Sequence, residues 1–265
     1  MDRLCIVIPI WQRATLTNHL LTYYHTLQVP GVELCVVAVG SEGRRSRLLA
    51  RGLEYVETEN RPLDRKFDVG FEYCRSFEPD AVCLIGSDDF VTEPYFSWAM
   101  RRIRSDVDLA GLLDLYLVAL PQQRVFYWSG YEGARAGESI GSARVYSKRI
   151  LDEVDWRPYT GFGECSDFVR DDQRAHSRIC RCGGLVENIC MANLGCQFWA
   201  VKTGAEWNPI VAFETHYRMP DITQHAWRQF QLSAALDPVD DASGTAYGTW
   251  REAALLGAHD DGGNR

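Results

Sequence analysis

The stretch LCIVIPI, residues Leu4–Ile10, is a continuous apolar run that contains one proline near its end. A run of this kind is typical of a parallel strand that helices cover on both faces. A helical segment at Ala14–Leu27 and a second, largely apolar run, VELCVVAV at Val32–Val39, follow it. The order strand, helix, strand predicts a parallel sheet with right-handed crossovers.

The alternation of strands and helices continues to about residue 105. It adds a short strand LEYVET, a helix at Leu63–Ser76, a strand at Ala81–Ile85 and a helix at Glu93–Arg104. The fold class that this order predicts is α/β, with an N-terminal parallel sheet flanked by helices.

The pattern changes after Asp106, where strands follow one another directly. VDLAGLLDLYLVALP and RVFYWSGY predict two long adjacent strands, and ARVYS, GGLVENICM and CQFWAVK predict later strands. Thr223–Leu236 predicts an amphipathic helix. We expect a single domain over residues 1–236, with a parallel-sheet half at 1–105 and a mixed-sheet half at 106–236. Residues 237–265, rich in Gly, Ala and Asp, predict an acidic, loosely ordered tail.

The composition of the 265-residue chain is that of a globular protein, with 46% hydrophobic and 24% charged residues. The formal charge of −8 does not favour broad electrostatic binding of nucleic acid or of an anionic membrane. The longest uncharged stretch, Asn188–Val201, is too short to span a bilayer, so no integral membrane segment is expected. Strand-like residues from Leu4 onward leave no room for a targeting segment, and a cytoplasmic location is expected.

The nine cysteines are scattered through strand-like and helix-like segments. An odd, scattered set is typical of free thiols in a reducing compartment rather than of a disulfide framework. Cys180, Cys182, Cys190 and Cys196 lack the spacing of a structural zinc site, so core thiols are expected at these positions.

The stretch AVCLIGSDDFVTEP, residues Ala81–Pro94, sets a buried strand directly against two adjacent carboxylates, Asp88 and Asp89. Neighbouring carboxylates repel each other, so the arrangement predicts a cation or hydrogen-bond donors beside them. The alternative is that Asp88 caps a helix and that Asp89 is solvated.

Residue types that bind charged ligands follow the ends of the predicted strands. In an open α/β sheet, ligands bind at the carboxyl ends of the strands. Carboxylates, cations and an amide at this edge suit a charged ligand accompanied by Mg²⁺ or Mn²⁺. The candidate ligand-binding residues are Pro9, Ile10, Arg13, Glu42, Asn60, Lys66, Ser87, Asp88 and Asp89. No G-x-G-x-x-G follows the first strand and no G-x-x-x-x-G-K-[ST] occurs, which argues against a dinucleotide oxidoreductase or a P-loop enzyme.

Six stretches follow one another at spacings that are fairly specific when taken together, namely CIVIPIWQR, VAVGSEG, NRPLDRKFDVGFEYCR, LIGSDDFVTEPYF, ARVYSKRILDEVDW and GECSDFVRDDQRA. Over roughly residues 4–180 the sequence resembles the family 2 glycosyltransferases, which have the GT-A fold. The resemblance implies a stand-alone hexosyltransferase that moves a sugar from a UDP-sugar or similar donor to an acceptor hydroxyl with inversion. It implies Mn²⁺ or Mg²⁺ as cofactor, a nucleotide-sugar half at 1–105 and an acceptor half at 106–236.

The resemblance also implies roles for the residues at the strand ends. Pro9 and Arg13 would lie in the nucleotide-base pocket with Ile10 between them. Glu42 would lie there or near the ribose. Asn60 and Lys66 would flank the diphosphate.

The acidic pair matches the D-x-D motif of the family in part. Asp88 would be the metal-binding aspartate and Asp89 the supporting carboxylate, with Ser87 among the donor-binding residues. Gly86 stands where the family has its first aspartate. A late histidine, His216, could complete the metal shell; the alternative is a surface or core histidine.

An inverting transfer needs a base that takes the acceptor proton. The resemblance points to GECSDF, in which Asp167 is favoured as the base and Glu164 is second. The alternative for either residue is capping of the following helix. Asp171 and Asp172 are expected to be surface charges.

Two other functions stay open. A sugar-nucleotide nucleotidyltransferase shares the fold, although it carries a Gly-rich loop after the first strand, and a non-catalytic nucleotide-sugar binding domain is the second alternative. The acceptor could be a glycan, a lipid-linked glycan, a protein or a hydroxymethylated DNA base, for which the arginines of 44–51 and 170–181 leave room. Trp199, Lys202 and Trp207 fall in the region that shapes the acceptor pocket in the family.

Overall fold

Two β-sheets and the helices between their strands organise the chain. The structure is a computed structural model that describes residues 1–160, 168–203 and 219–225, and only the backbone of 168–171. The strands are β1 (Asp2–Pro9), β2 (Val32–Gly40), β3 (Glu54–Glu57), β4 (Ala81–Leu84), β5 (Asp89–Val91), β6 (Leu109–Leu112), β7 (Leu115–Ala119), β8 (Arg124–Trp128), β9 (Arg144–Ser147), β10 (Val186–Ile189) and β11 (Phe198–Lys202). The helices are α1 (Ala14–Thr26), α2 (Arg44–Leu49), α3 (Leu63–Cys74), α4 (Glu93–Arg104), α5 (Lys148–Glu153) and α6 (Phe168–Arg181).

The larger sheet has seven strands in the order β10-β6-β9-β4-β1-β2-β3. β1 pairs in parallel with β2 and β4, and β2 pairs in parallel with β3. β9 lies antiparallel between β4 and β6. The predicted α/β class, with a parallel N-terminal sheet and a mixed continuation, is confirmed.

The first strand, β1, is buried in the larger sheet because both of its faces are covered. Its side chains alternate between two hydrophobic clusters, with Ile6 and Ile8 in one and Cys5 and Val7 in the other. Helix α3 approaches the second face closely at Gly70, where any Cβ would overlap the side chain of Val7. This close approach fixes α3, and therefore its first turn, against the carboxyl ends of β1 and β2.

The smaller sheet has the order β5-β11-β7-β8. The prediction of one long strand over VDLAGLLDLYLVALP is wrong, because the run divides between β6 in the larger sheet and β7 in the smaller one. The division falls at Asp114, which is 2% exposed. Its carboxylate accepts hydrogen bonds from Met191 N at 2.7 Å and from the Tyr127 hydroxyl at 2.7 Å. These buried bonds stabilise the turn between the two sheets.

Two details of the sequence prediction need correction. Cys180 and Cys182 are exposed at the end of α6, and Cys190 is half-buried, so only Cys196 of this group is a core thiol. The three-residue strand β5 was not predicted, because it begins within the acidic pair, at Asp89. The 237–265 tail and all but the start of the predicted helix at Thr223–Leu236 lie outside the described residues. None of the described helices is long and apolar enough to cross a membrane.

Candidate functional site

The carboxyl ends of β1, β2 and β4 lie side by side at one edge of the larger sheet. The pairing continues past the strands, since Ile10 N donates to Val39 O at 2.8 Å and Ile85 N donates to Val7 O at 2.9 Å. The loops that follow these three strands therefore begin at the same place. The predicted ligand-binding residues of these loops form two clusters there.

The first cluster surrounds the ammonium group of Lys66, in the first turn of α3. Its Nζ donates to Ile10 O at 2.8 Å, to Asn60 Oδ1 at 2.9 Å and to Ser41 Oγ at 3.2 Å. The side chain is 1% exposed. An ammonium group has three donors, and here all three bind the chain itself. Lys66 thus holds the ends of β1 and β2 and the loop after β3 together, and it would contact a ligand only by exchanging a partner.

Burial lowers the pKa of Lys66 to about 8, although the negative charge of Glu42 acts to raise it. Glu42 fixes the loop after β1, because its Oε2 accepts a hydrogen bond from Gln12 N at 2.7 Å. Its other oxygen pairs with Arg45 at 3.2 Å. The Ile10 side chain is buried in the core, so this residue presents its backbone to the cluster.

The second cluster surrounds the carboxylate of Asp88. Asp88 Oδ2 lies 2.6 Å from Lys202 Nζ and 3.5 Å from Arg13 Nη1. The second guanidinium nitrogen of Arg13 donates to Ser87 Oγ at 2.6 Å. The predicted residues Arg13, Ser87 and Asp88 are thus in direct contact.

Lys202 reaches this cluster because its strand, β11, pairs with the three-residue strand β5. Ala200 of β11 pairs with Asp89 of β5, and Val201 N donates to Asp88 O at 2.8 Å. Lys202 was placed near the acceptor pocket by the sequence and was not among the predicted donor-site residues. The one signal in the sequence is a lysine that ends an otherwise apolar strand.

Arg13 reaches Asp88 through an unusual loop. Gln12 and Arg13 both have a left-handed backbone, with φ of 54° and 43°. Such φ values are uncommon for residues other than glycine and persist only where the surroundings enforce them. The Gln12–Glu42 and Arg13–Ser87 hydrogen bonds are among the contacts that hold these two residues.

The charges of this cluster shift one another's pKa values. Burial alone raises the pKa of Asp88, but the positive charges of Lys202 and Arg13 outweigh it and hold that pKa below its usual range. Burial lowers the pKa of Lys202, and the charges of Asp88 and Asp89 reverse this and raise it. Burial, followed by the negative charge of Asp88, raises the pKa of Asp89 to about 7.

Asp89 stabilises the turn between β4 and β5. Its carboxylate lies over the Cα of Gly86, so closely that a Cβ at that position would overlap Asp89 Oδ2. Ser142 Oγ accepts a hydrogen bond from Gly86 N at 2.9 Å. Any side chain at position 86 would therefore require the Asp89 carboxylate to move.

The predicted Mn²⁺ or Mg²⁺ site was tested against these contacts. Hard divalent ions favour several oxygen ligands with net negative charge. Asp88 Oδ2 already binds two cations, and the carboxylate of Asp89, with a pKa near 7, lies over Gly86. Among the described residues, no three His, Cys, Asp or Glu side chains are grouped so as to hold a metal ion. The described residues therefore do not fit a divalent ion at Asp88 and Asp89. His216, the third predicted ligand, lies outside them.

The predicted bases Glu164 and Asp167 lie outside the described residues, immediately before α6. A buried ionic cluster fixes α6 in this region. The prediction that Asp172 is a surface charge is wrong, since it is 6% exposed and accepts hydrogen bonds from Tyr131 and Arg135, each at 2.8 Å. The fully buried guanidinium of Arg144 donates to Asp172 O.

No protein-family model matches this sequence, and no curated protein matches it. Among solved structures, S. aureus TarS 1–349 matches with a TM-score of 0.52 and 13% identity, covering 76% of this chain and 60% of that one. The same TarS segment in complex with UDP matches with a TM-score of 0.49 and 12% identity, with the same coverage. A CMP:2-keto-3-deoxy-manno-octonic acid synthetase complexed with CTP matches with a TM-score of 0.48 and 14% identity, covering 81% of this chain and 96% of that one.

The similarity to TarS 1–349 concerns the fold. This chain is a mixed α/β domain of the GT-A type, built on a parallel-rich central sheet. It spans 60% of the length of that TarS structure.

Proposed function

We propose that the chain is an inverting glycosyltransferase that moves a sugar from a nucleotide-diphosphate sugar, with UDP the favoured nucleotide, to an acceptor hydroxyl. Two findings support the proposal. The six motifs resemble family 2 glycosyltransferases in order and spacing, and the fold is of the GT-A type. The proposal is specific enough to be tested by donor binding and by turnover.

The observation that carries the proposal is the meeting of Arg13, Ser87, Asp88 and Lys202 at the carboxyl ends of β1 and β4. In open α/β sheets this edge is where nucleotides bind. Cationic side chains held beside a hydroxyl are suitable partners for phosphate oxygens. The Lys66 cluster lies at the same edge. It would support the loops around the donor, because its ammonium group is already hydrogen-bonded to the chain.

The transfer proceeds as a displacement at the anomeric carbon. The acceptor oxygen forms the new bond to this carbon while the bond from the carbon to the β-phosphate oxygen breaks. The acceptor proton passes to a carboxylate, for which Asp167 is the first candidate and Glu164 the second. The electron pair of the broken bond leaves with the nucleoside diphosphate. The acceptor is a glycan or, as a second class, a hydroxymethylated DNA base.

The first experiment screens nucleotide sugars by thermal shift, then incubates the binding donor with glycan and hydroxymethylated-DNA acceptors and measures nucleoside diphosphate release and product mass. A UDP-sugar that shifts the melting temperature and is consumed supports the proposal. Release of pyrophosphate from a nucleoside triphosphate and a sugar phosphate would instead indicate the nucleotidyltransferase. A chain that binds donors without any turnover would be the non-catalytic binding domain.

The second experiment separates the two candidate bases. Removing a general base costs about 10²–10⁴-fold in kcat. We expect this loss in Asp167→Asn, and an unchanged binding constant for the donor. Glu164→Gln is the companion variant, and Asp155→Asn, which changes an exposed carboxylate two residues after α5, is the matched control. If Asp167→Asn keeps full kcat and Glu164→Gln loses it, the base is Glu164.

A further inference from the structure

The single carboxylate of Asp88 is neutralised by two cations of the chain itself. The side chains of Arg13 and Asp88 are 12% and 13% exposed, and that of Lys202 is 10% exposed. Charges this well buried are poorly screened by salt. In the described structure Asp88 therefore binds two cationic side chains. Its negative charge is compensated by them and does not attract a metal ion.

The two cations at this position disfavour a divalent ion. Among the described residues, Arg13 and Lys202 both lie against the same oxygen of Asp88, and the carboxylate of Asp89 lies over Gly86. A divalent ion on Asp88 would stand beside an ammonium and a guanidinium, which repel it. The diphosphate of a nucleotide sugar carries negative charge and would be attracted by the same two groups.

The positions of the two cations are fixed by one backbone contact and one side-chain contact. Lys202 follows Val201, whose amide binds Asp88 O at 2.8 Å. Arg13 is held by Ser87 Oγ at 2.6 Å. Fixed donors that need no reorganisation are effective at stabilising charge that develops in a transition state.

We infer that Arg13 and Lys202 supply the positive charge that binds the donor's diphosphate and stabilises it as it leaves, so that donor binding needs no divalent ion. The inference rests on the proposed function and deepens it. The electron pair of the broken bond goes to a β-phosphate oxygen, whose new charge is offset by Lys202 and Arg13. Asp88 is a positioning residue, which keeps both cations beside the loop after β4.

The test measures UDP affinity by isothermal titration calorimetry in EDTA and in excess Mn²⁺. The intact chain should bind UDP with dissociation constants that agree within about twofold in the two buffers. Lys202→Met should weaken UDP binding about tenfold or more in both buffers, since a charge-assisted hydrogen bond is lost. Arg13→Met should lose affinity in the same way.

Three controls keep the outcome interpretable. Lys202→Arg retains the charge and should retain most of the affinity. Lys148→Met removes an exposed lysine, paired with Asp152 on α5, and should bind UDP as the intact chain does. The comparison of EDTA with Mn²⁺ uses the intact chain, so it does not depend on the folding of any variant.

Each other result overturns the inference. UDP binding that disappears in EDTA and returns with Mn²⁺ would overturn it and leave the proposed function standing. An unchanged affinity of folded Lys202→Met for UDP would also overturn the inference and leave the proposed function standing. If neither UDP nor any other nucleotide binds in either buffer, the proposed function fails, and the inference with it.

Discussion

The Nζ of Lys202 lies 2.6 Å from Asp88 Oδ2, although 114 residues separate them in the sequence. The contact joins the end of the smaller sheet to the loop that follows the central strands of the larger one. A pair of this kind contributes little when both partners are present, but it is costly to break from one side. Variants of these two residues therefore measure how much the contact between the two sheets contributes to stability.

Replacing Asp88 by Asn should destabilise the fold. The change leaves Lys202 and Arg13 without their carboxylate, and we expect a loss of about 3 kcal/mol in the free energy of unfolding. Urea unfolding measures it. The double variant Asp88→Asn, Lys202→Met should lose less than the sum of the two single losses, because the two residues interact. Asp221→Asn, which breaks an exposed pair with Arg124, is the control and should cost below about 1 kcal/mol. Additive losses would show that the contact is not formed.

Introducing a side chain at Gly86 should also destabilise the fold. A Cβ there overlaps the carboxylate of Asp89, and overpacking of this kind costs about 1–3 kcal/mol. Both Gly86→Ala and Gly86→Asp are informative, since the second introduces the aspartate that the sequence resemblance leads us to expect at this position. In an Asp89→Ala background, which removes the obstructing carboxylate, Gly86→Ala should cost markedly less. An equal cost in both backgrounds, measured by urea unfolding, would show that Asp89 does not restrict position 86.

Asp68 should make stability depend on pH. Burial raises its pKa to about 7, against hydrogen bonds from Thr160 Oγ1 and Tyr159 N, whereas in the unfolded chain the pKa is about 3.9. Between these values the unfolded chain loses the proton first, so the folded chain binds more protons. The free energy of unfolding contributed by Asp68 is therefore full below pH 4 and falls as the pH rises towards 7.

The measurement compares the intact chain with Asp68→Asn by urea unfolding across this range. The difference between the two should change steadily from about pH 4 to pH 7 and level off above it. Asp155→Asn, which changes an exposed carboxylate, is the matched control. A flat difference for Asp68→Asn would mean that Asp68 has no raised pKa. The result matters for the site, because Asp68 binds residues 159 and 160, directly before the segment with the candidate bases.

Replacing Arg144 by Met should be strongly destabilising. The guanidinium is fully buried and pairs with Glu138 at 3.1 Å, and it also donates to Ile140 O and Asp172 O. Its removal leaves buried acceptors without a hydrogen-bond donor, and we expect the free energy of unfolding to fall by about 3–5 kcal/mol. Arg102→Met, which removes a half-exposed arginine paired with Glu187, is the matched control and should cost below about 1 kcal/mol. A similar loss of stability in the two variants, measured by thermal or urea unfolding, would contradict the prediction that the buried contacts of Arg144 stabilise the fold.

The larger sheet was predictable because its strands are continuous apolar runs separated by helical segments. Leu4–Ile10, Val32–Val39 and Ala81–Ile85 all became neighbouring parallel strands, as their composition indicated. The same logic failed at Asp114, since an aspartate inside an apolar run gives no sign that its carboxylate is satisfied by Met191 and Tyr127. Whether a buried acid ends a strand depends on partners that are distant in sequence.

The sequence predicted the site residues that directly follow strand ends. It did not predict the contacts between residues that are distant in sequence. Arg13, Ser87 and Asp88 were identified, and they are in contact. Lys202 was assigned to a different part of the site, because its position depends on the pairing of the three-residue strand β5 with β11. That pairing, rather than any local motif, decides whether Asp88 faces an ammonium group or water.

The late position of β11 has a consequence for synthesis on the ribosome. The first ninety residues emerge with Arg13, Ser87 and Asp88 already on them, while the lysine that completes their charge balance is translated more than a hundred residues later. Until then the nascent chain exposes an unpaired edge at β5, which a chaperone or a neighbouring polypeptide could engage. Slow translation between these two segments should therefore be harmful to the yield of folded protein, and coexpressed chaperones should restore it.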